Sequence, residues 1–191
     1  MRRQSFNLAG HAHFLTFSCY RRCQLLVDTS ARVLLTESLR AARQTLDFKL
    51  WAYVFIPDHV HLLLMPCEDR YSMSAILKQI KGPFVKRLVE DWQANYRDRL
   101  KQLQTEGPSG PIIRIWQRGG GFDRNLYTHE RIRRAMEYIE SNPVRKGLVF
   151  DPKDWVWSSA QARGGVTDVP LKVDPICWEE IPDQTEAIEC K

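Results

Sequence analysis

Two histidines in the run PDHVHLLLMP have the residue type and spacing of half a metal site. The apolar residues that follow predict a buried strand, entered through a turn at Pro57-Asp58. Because strand side chains alternate between faces, His59 and His61 project from the same side, about 7 Å apart along the strand. Imidazoles are common ligands of divalent metals. The pair alone also fits one hydrogen-bonded core histidine and one surface histidine.

A tyrosine and an asparagine four residues apart could complete such a site. In the run RIRRAMEYIESNP, a helix places Tyr138 and Asn142 on one face. Tyrosine offers a nucleophilic oxygen, and the asparagine carbonyl oxygen suits Mg²⁺ or Mn²⁺. If this helix packs across the histidine face, His59, His61 and Asn142 can hold one divalent cation, with Tyr138 one turn away. Taken alone, the second pair also fits a half-buried tyrosine and an asparagine that ends a helix.

Hydrophobic periodicity predicts the elements that must position these residues. They are a strand over 11–20, a helix over 30–46, strands over 48–56 and 59–65, a helical stretch from 72 to 104, a strand over 112–117 and a helix over 129–141. We expect Gly82-Pro83 to kink or split the long helix, and Asn142-Pro143 to end the last one. This order predicts an α+β, ferredoxin-like split βαβ fold with an antiparallel sheet. Two helices cover one sheet face, which leaves the histidine face for the added last helix.

Charge is distributed unevenly along the chain. The net charge is +5, but residues 1–150 hold 24 Lys and Arg against 14 Asp and Glu, whereas residues 151–191 hold 4 against 9. A basic body favours a polyanionic partner. We expect residues 1–150 to form the functional domain and residues 151–191 to form an acidic, irregular tail that packs on it. Such a tail could cover the basic surface when nucleic acid is absent.

Composition narrows the class of protein and its compartment. Hydrophobic residues make up 43% and charged residues 27% of the 191 residues, which is ordinary for a globular domain. No apolar run reaches the roughly 20 residues that span a bilayer. The five cysteines are scattered and form no CxxC pair, which fits reduced thiols in a cytosolic protein. We therefore expect a cytoplasmic protein with no membrane partner.

Basic residues form three clusters along the chain, and together they predict contacts with nucleic-acid phosphates. For any single lysine, a solvated surface is the better explanation. Trp116 and Phe122 lie among these clusters and fit either stacking on unpaired bases or packing in the core. The candidate DNA-binding residues are Arg2, Arg3, Arg21, Arg22, Lys81, Arg118, Arg124 and Arg134.

Three motifs in order give the chain a family resemblance. The run YVFIPDHVHLLLMP resembles the His-hydrophobic-His (HUH) signature of the IS200-like single-tyrosine (Y1) transposases. The run YIESNPVRKGLV, followed by DWVWSS, resembles the REP-associated tyrosine transposases, and WQRGGGFDRNL resembles the region before their catalytic helix. The resemblance covers residues 10–160. The three glycines at 119–121 depart from the bulkier residues expected there.

The resemblance implies a role for each motif residue. His59 and His61 would be metal ligands for Mg²⁺ or Mn²⁺, Asn142 the third ligand and Tyr138 the nucleophile. Such enzymes cleave single-stranded DNA beside hairpins, form a 5′-phosphotyrosine and a free 3′-OH, and can rejoin the ends. The implied substrate is a repetitive extragenic palindrome (REP) hairpin with a single-stranded 5′ flank. Tyr127 is the main rival nucleophile, although its i+4 neighbour is Arg131, which cannot bind a cation.

Two other functions stay open at this point. The chain could be a hairpin-binding module on a ferredoxin-like sheet, without catalysis and with a degenerate metal site. It could also be a plasmid-type relaxase or replication initiator with the same chemistry, although those proteins are usually larger. For the oligomeric state, a monomer is slightly favoured over a homodimer.

Overall fold

A four-stranded antiparallel sheet lies at the centre of the computed structural model, which describes residues 6–181. The helices and strands are β1 (Ala12–Ser18), α1 (Thr29–Thr45), β2 (Phe48–Ile56), β3 (His59–Pro66), α2 (Met73–Asn95), α3 (Arg97–Gln102), β4 (Gln104–Gly107), β5 (Gly110–Ile113), β6 (Phe122–Leu126), α4 (His129–Arg145) and α5 (Ala160–Arg163). Among the described residues, no helix combines the length and apolarity needed to cross a bilayer.

The strand order confirms the predicted fold class. The sheet runs β2-β3-β1-β6, and every neighbouring pair is antiparallel. In this order β3 lies between β1 and β2, as in the ferredoxin-like split βαβ arrangement. Residues Pro57 and Asp58 form the tight turn between β2 and β3, which pair as the predicted hairpin.

Successive side chains of β3 point alternately into two hydrophobic cores, one on each face of the sheet. Val60, Leu62 and Leu64 pack in a core with the apolar residues of α1 and α2. Leu63, one residue out of phase, packs in a second core with α4. Since strand residues two apart share a face, His59 and His61 lie on the α4 side of the sheet. The apolar residues of α4 in this second core are Ile132, Ala135, Met136 and Ile139.

The prediction of the fourth sheet strand was wrong. Residues 112–117 form no strand of the main sheet, although Trp116 makes a single bridge with Cys19 just after β1. Instead, β4 and β5 pair as a separate hairpin that includes the predicted loop at 105–111. The fourth strand is β6, which pairs with β1 from Thr16–Phe122 to Ala12–Leu126. The sequence FDRNL is polar and carries little strand signal. Its pairing depends on β1, more than a hundred residues earlier.

A glycine turn leads into β6 and explains the departure at 119–121. Gly119 and Gly121 both have φ of +88°, which strains residues with a side chain. A Cβ atom on Gly121 would lie 2.1 Å from the Thr16 carbonyl oxygen. The chain therefore needs glycine where it approaches β1. Gly120 has no positive φ, and its Cβ would meet only Leu77 Cδ1, at 3.9 Å.

A split at Gly82-Pro83, one of the two predicted outcomes, does not occur, because α2 continues through both residues to Asn95. A proline inside a helix removes one hydrogen bond. Seven side chains on one face of α2 are buried, and this burial outweighs the lost hydrogen bond. They are Met73, Ile76, Leu77, Ile80, Phe84, Leu88 and Trp92.

The last helix likewise continues through Asn142-Pro143, where the sequence predicted its end. It ends in a Schellman motif: the Leu148 N–H donates to the Pro143 carbonyl, and the Gly147 N–H donates to the Val144 carbonyl, both at 2.9 Å. Gly147 has φ of +67°, as this motif requires. Tyr138 and Asn142 consequently lie on one uninterrupted helix.

Residues after 150 follow the outer edge of β2. The Phe55 N–H donates to the Trp157 carbonyl at 2.9 Å, and the Ser159 N–H donates to the Tyr53 carbonyl at 3.0 Å. Further along, the Asp174 N–H donates to the Leu50 carbonyl at 2.8 Å. This segment therefore pairs the backbone of an edge strand that would otherwise be open. Residues 182–191 of the predicted tail lie outside the described residues.

The glycine turn yields a stability prediction. Replacing Gly121 with alanine should lower the free energy of unfolding by about 2 kcal/mol or more, because the backbone of β6 must move away from β1. Gly120→Ala is the matched control and should be neutral or stabilise by up to about 1 kcal/mol. Urea denaturation of the two variants measures the difference. Equal unfolding midpoints would contradict this account of the turn.

Candidate active site

His61 lies at the centre of a buried polar contact between sheet and helix. Its Nδ1 is 2.7 Å from Thr16 Oγ1, and its Nε2 is 3.2 Å from Asn142 Nδ2. Thr16 is the cross-strand partner of His61 in the β1–β3 register. With the amide as donor, Nε2 accepts and the Nδ1 proton is donated to the threonine hydroxyl. This tautomer directs the Nε2 lone pair towards α4.

His59 lies beside His61 and has a carboxylate partner. The two ring centroids are 4.8 Å apart, and both residues are buried, at 2% and 4% exposure. His59 Nδ1 is 2.6 Å from Asp58 Oδ1, and the other oxygen of Asp58 is 3.3 Å from Arg22. A carboxylate that accepts a hydrogen bond from Nδ1–H leaves the lone pair of Nε2 on the same ring available to a metal ion.

Burial sets the protonation of both imidazoles. Desolvation, with smaller contributions from the neighbouring His59, Lys146 and Arg22, lowers the pKa of His61 to about 3. Burial also lowers the pKa of His59, although Asp58 opposes that shift. For Asp58, burial raises the pKa, but the contacts with His59 and Arg22 outweigh it and the pKa is lowered overall. At neutral pH the site holds two neutral imidazoles and one ionised carboxylate.

Asn142 contributes a buried oxygen that has no partner. The residue is 3% exposed, and its Oδ1 makes no hydrogen bond within the described structure. An unpaired buried carbonyl is costly and calls for an explanation. No group of three or more His, Cys, Asp or Glu side chains in residues 6–181 is placed to hold a metal ion. Two imidazoles and this amide oxygen are nevertheless a donor set that suits a divalent cation.

Tyr138 lies next to this donor set and remains accessible. Its ring centroid is 5.4 Å from that of His61 and 5.8 Å from that of Phe14, both in edge contacts. The guanidinium carbon of Arg145 lies 4.9 Å from the tyrosine ring centroid. The residue is 37% exposed. Packing therefore holds the ring while a substrate can still approach.

The rival Tyr127 has a different environment. Its ring centroid is 5.0 Å from that of His11, and the Arg131 guanidinium carbon lies 5.0 Å from it. These contacts belong to the junction of β6 and α4. The structure thus brings Tyr138 together with the histidine pair and gives Tyr127 other partners.

The candidate DNA-binding residues are distributed over several surfaces. Arg124 and Arg134, with Arg131, line a cavity of about 540 Å³ beside Tyr138. Arg22 pairs with Asp58 at the histidine end of the sheet. Three others lie elsewhere: Arg21 stacks on Tyr20, Arg118 is exposed before the glycine turn, and Lys81 lies on the α2 side of the sheet. Arg2 and Arg3 lie outside the described residues.

Sequence reasoning missed three residues that shape the site. Asp58 was assigned only to a turn, although a carboxylate adjacent to a candidate ligand is a usable signal. Thr16 becomes a partner of His61 only through strand register. Phe14 on β1 contacts Tyr138 on α4, and nothing in the sequence around Phe14 indicates this contact.

The comparisons with known proteins agree with this architecture. The family described as "Transposase IS200 like" matches residues 7–106, just over half of the chain. A REP-associated tyrosine transposase of Haemophilus influenzae is 29% identical over 153 residues, which cover 78% of each chain. A second one, from Escherichia coli, is 23% identical over 175 residues and covers 91% of this chain and 87% of its own.

A solved structure shows the same fold at lower sequence identity. The structure of a REP-associated tyrosine transposase bound to a REP hairpin superposes with a TM-score of 0.65 and 21% identity. The match covers 91% of this chain and 92% of that one. From the matched family, the relatives and the shared architecture, the chain belongs to the IS200-like transposases, as a relative of the REP-associated tyrosine transposases.

Proposed function

We propose that this chain is a metal-dependent endonuclease and strand transferase for single-stranded DNA, with Tyr138 as nucleophile. One observation carries the proposal: the Tyr138 ring lies against His61, whose Nε2 faces the amide of Asn142 one helical turn away. A nucleophile next to two neutral imidazoles and an unpaired amide oxygen matches the needs of phosphodiester transesterification.

In this proposal His59, His61 and Asn142 hold one Mg²⁺ or Mn²⁺ ion. When bound, the cation would polarise the scissile phosphate. Asp58 and Thr16 keep the Nδ1 side of each imidazole occupied, so that each ring keeps its orientation and tautomer. The Asn142 oxygen gains the partner that it lacks among the described residues.

The proposed transfer conserves the phosphodiester bond energy. The Tyr138 oxygen loses its proton and attacks phosphorus, the bond from phosphorus to the 3′-oxygen breaks, and that oxygen takes up a proton as a free 3′-OH. The 5′-phosphate stays on the tyrosine. A 3′-OH of either strand reverses the step, so rejoining requires no ATP. The Arg145 guanidinium over the ring stabilises the negative charge that develops on the phenol oxygen.

The substrate proposed here is a DNA hairpin with a single-stranded flank. Arg124, Arg131 and Arg134 surround the cavity beside Tyr138, where they can contact phosphates on either side of the cleaved bond. Phe14 lines the same cavity and offers an aromatic surface for an unpaired base. A REP hairpin is bound in the solved structure of the related transposase.

We also propose that the protein acts as a monomer. One sheet edge, β2, is hydrogen-bonded along its backbone by residues 157–159 and Asp174 of the same chain. That edge is therefore closed to β-strand pairing with a second copy. Size-exclusion chromatography with light scattering, in low and high salt, measures this directly.

The nucleophile is tested with a single-stranded hairpin oligonucleotide and Mg²⁺. Tyr138→Phe should abolish the covalent protein–DNA adduct, because it removes the attacking oxygen and keeps the ring packing. Denaturing gel electrophoresis of a labelled strand detects the adduct. Tyr127→Phe is the matched control and should form the adduct at the wild-type level. An adduct that survives Tyr138→Phe but disappears in Tyr127→Phe would overturn the assignment.

The metal site is tested without reference to activity. Adding Mn²⁺ to the chelator-treated protein should raise its melting temperature, because a ligand of the folded state stabilises it. Asp58→Asn should weaken Mn²⁺ binding about 10- to 100-fold by calorimetry, because the carboxylate orients His59. His11→Gln is the control and should bind Mn²⁺ as the wild type does.

Two results would contradict the metal proposal. One is Mn²⁺ binding that persists unchanged when both His59 and His61 are replaced with glutamine. The other is DNA cleavage of equal rate in excess chelator. Tight hairpin binding without any adduct, in contrast, would favour the non-catalytic hairpin-binding module.

A further inference from the structure

A second cavity lies on the opposite side of the sheet from Tyr138. It is bounded by Leu77, Lys81 and Val85 of α2, by Trp116 and by the glycine turn 119–121, and its volume is about 660 Å³. We call it the edge cavity, because β6 is the outermost strand of the sheet. Its size and mainly apolar walls are those of a small-ligand site. Nothing in the proposed chemistry at Tyr138 accounts for it.

An aromatic floor and two lysines define the ligand that fits. Trp116 is 7% exposed and is fixed by Phe17 and Phe84, with ring centroids 4.9 Å and 5.1 Å away. Lys81 Nζ lies 5.2 Å from the Phe17 ring centroid, and within the described residues it has no carboxylate partner. Lys78 lines the same cavity, as does Asp123, whose carboxylate lies 2.8 Å from His13 Nδ1. A flat apolar ring with an attached anion satisfies both features.

The glycine turn supports this interpretation. Gly121 is required by its contact with β1, and Gly119 by its positive φ. Gly120 has neither constraint, and a Cβ there would point towards Leu77, another wall of the cavity. The missing side chain at Gly120 therefore keeps the edge cavity open, although the backbone would tolerate a larger residue.

The cavity is also close to the route of a strand bound at Tyr138. Phe122 follows the glycine turn, and its ring centroid is 5.8 Å from that of Phe14. Phe14 in turn contacts Tyr138, at 5.8 Å between centroids. Within residues 6–181 the outer edge of β6 carries no paired strand. A DNA strand can therefore cross this edge from the tyrosine face to the edge cavity.

We propose that the edge cavity binds one unpaired nucleobase of the DNA strand that is cleaved at Tyr138. Trp116 and the apolar residues of α2 contact the base, and Lys78 and Lys81 contact its phosphate. The cavity lies between α2 and the glycine turn, and its volume of about 660 Å³ accommodates a single base. This inference rests on the proposed function, because it takes the substrate of Tyr138 as the ligand.

The test measures the affinity of the full-length protein for a labelled hairpin with single-stranded flanks, in chelator. A series of oligonucleotides carries one abasic site at each unpaired position. For the wild type, one position should weaken binding by about 5- to 100-fold, as expected for loss of one stacked base. Gly120→Leu, which fills the cavity, should weaken binding of the intact strand by a similar factor. In Gly120→Leu, an abasic site at that position should cause no further loss of affinity.

Two further variants separate the cavity from general charge effects. Lys81→Met should weaken hairpin binding, and the salt dependence of the affinity should fall by the amount expected for about one phosphate contact. Lys86→Met removes a charge from an exposed position of the same helix, and it should keep the wild-type response to the abasic series. The melting temperature of Gly120→Leu shows that this variant is folded, and Lys81→Met tests the cavity independently.

Each outcome decides between the two proposals. An unchanged affinity and abasic profile in Gly120→Leu, with adduct formation at Tyr138, rejects the edge cavity alone. Coupling between Gly120 and one base, without any adduct, supports the cavity and rejects the catalytic proposal. Displacement of the hairpin by micromolar free deoxynucleoside monophosphate would overturn the proposal, since the cavity would then belong to a soluble nucleotide. Absence of hairpin binding rejects both.

Discussion

The contact between His61 on β3 and Asn142 on α4 is the constraint on which the rest of the site depends. It exists only because α4 packs across the second face of the sheet, where Ile132 and Ile139 join the core. A shift of α4 by one turn, about 5.4 Å, would separate the amide from the imidazole and carry Tyr138 away with it. The apolar packing of this one helix therefore fixes Tyr138 relative to both histidines.

Burying polar groups between sheet and helix costs free energy, and hydrogen bonds compensate for only part of it. Thr16 and Asp58 satisfy the Nδ1 atoms of the two imidazoles and so fix both rings, while burial keeps the rings neutral. The Asn142 oxygen is left unsatisfied, at an expense of about 1–3 kcal/mol. Functional sites commonly retain such local costs while the surrounding core supplies stability. Here two hydrophobic cores, one on each sheet face, supply it.

The two sheet edges differ in the same molecule. Residues 157–159 and Asp174 hydrogen-bond the backbone of β2 and so cover this edge. The opposite edge strand is β6, which follows the glycine turn. Along this edge, the sheet face that carries Tyr138 meets the face that is covered by α2. Lys81, which the sequence grouped with the other basic residues, lies on the second face, whereas Arg124 and Arg134 lie on the first. Basic side chains therefore line a cavity on each face of the sheet.

The sequence by itself determined the fold class, the histidine strand and the spacing of Tyr138 and Asn142, since these depend on short-range periodicity. Only the tertiary structure decided that β6 is the fourth strand, because a polar segment such as FDRNL pairs through a partner far away in the chain. It also decided that α2 and α4 continue through Pro83 and Pro143, because burial of their apolar faces exceeds the cost of one lost hydrogen bond. The partners Thr16 and Phe14 depend on strand register and on helix docking, and these are set by the packing of the whole domain.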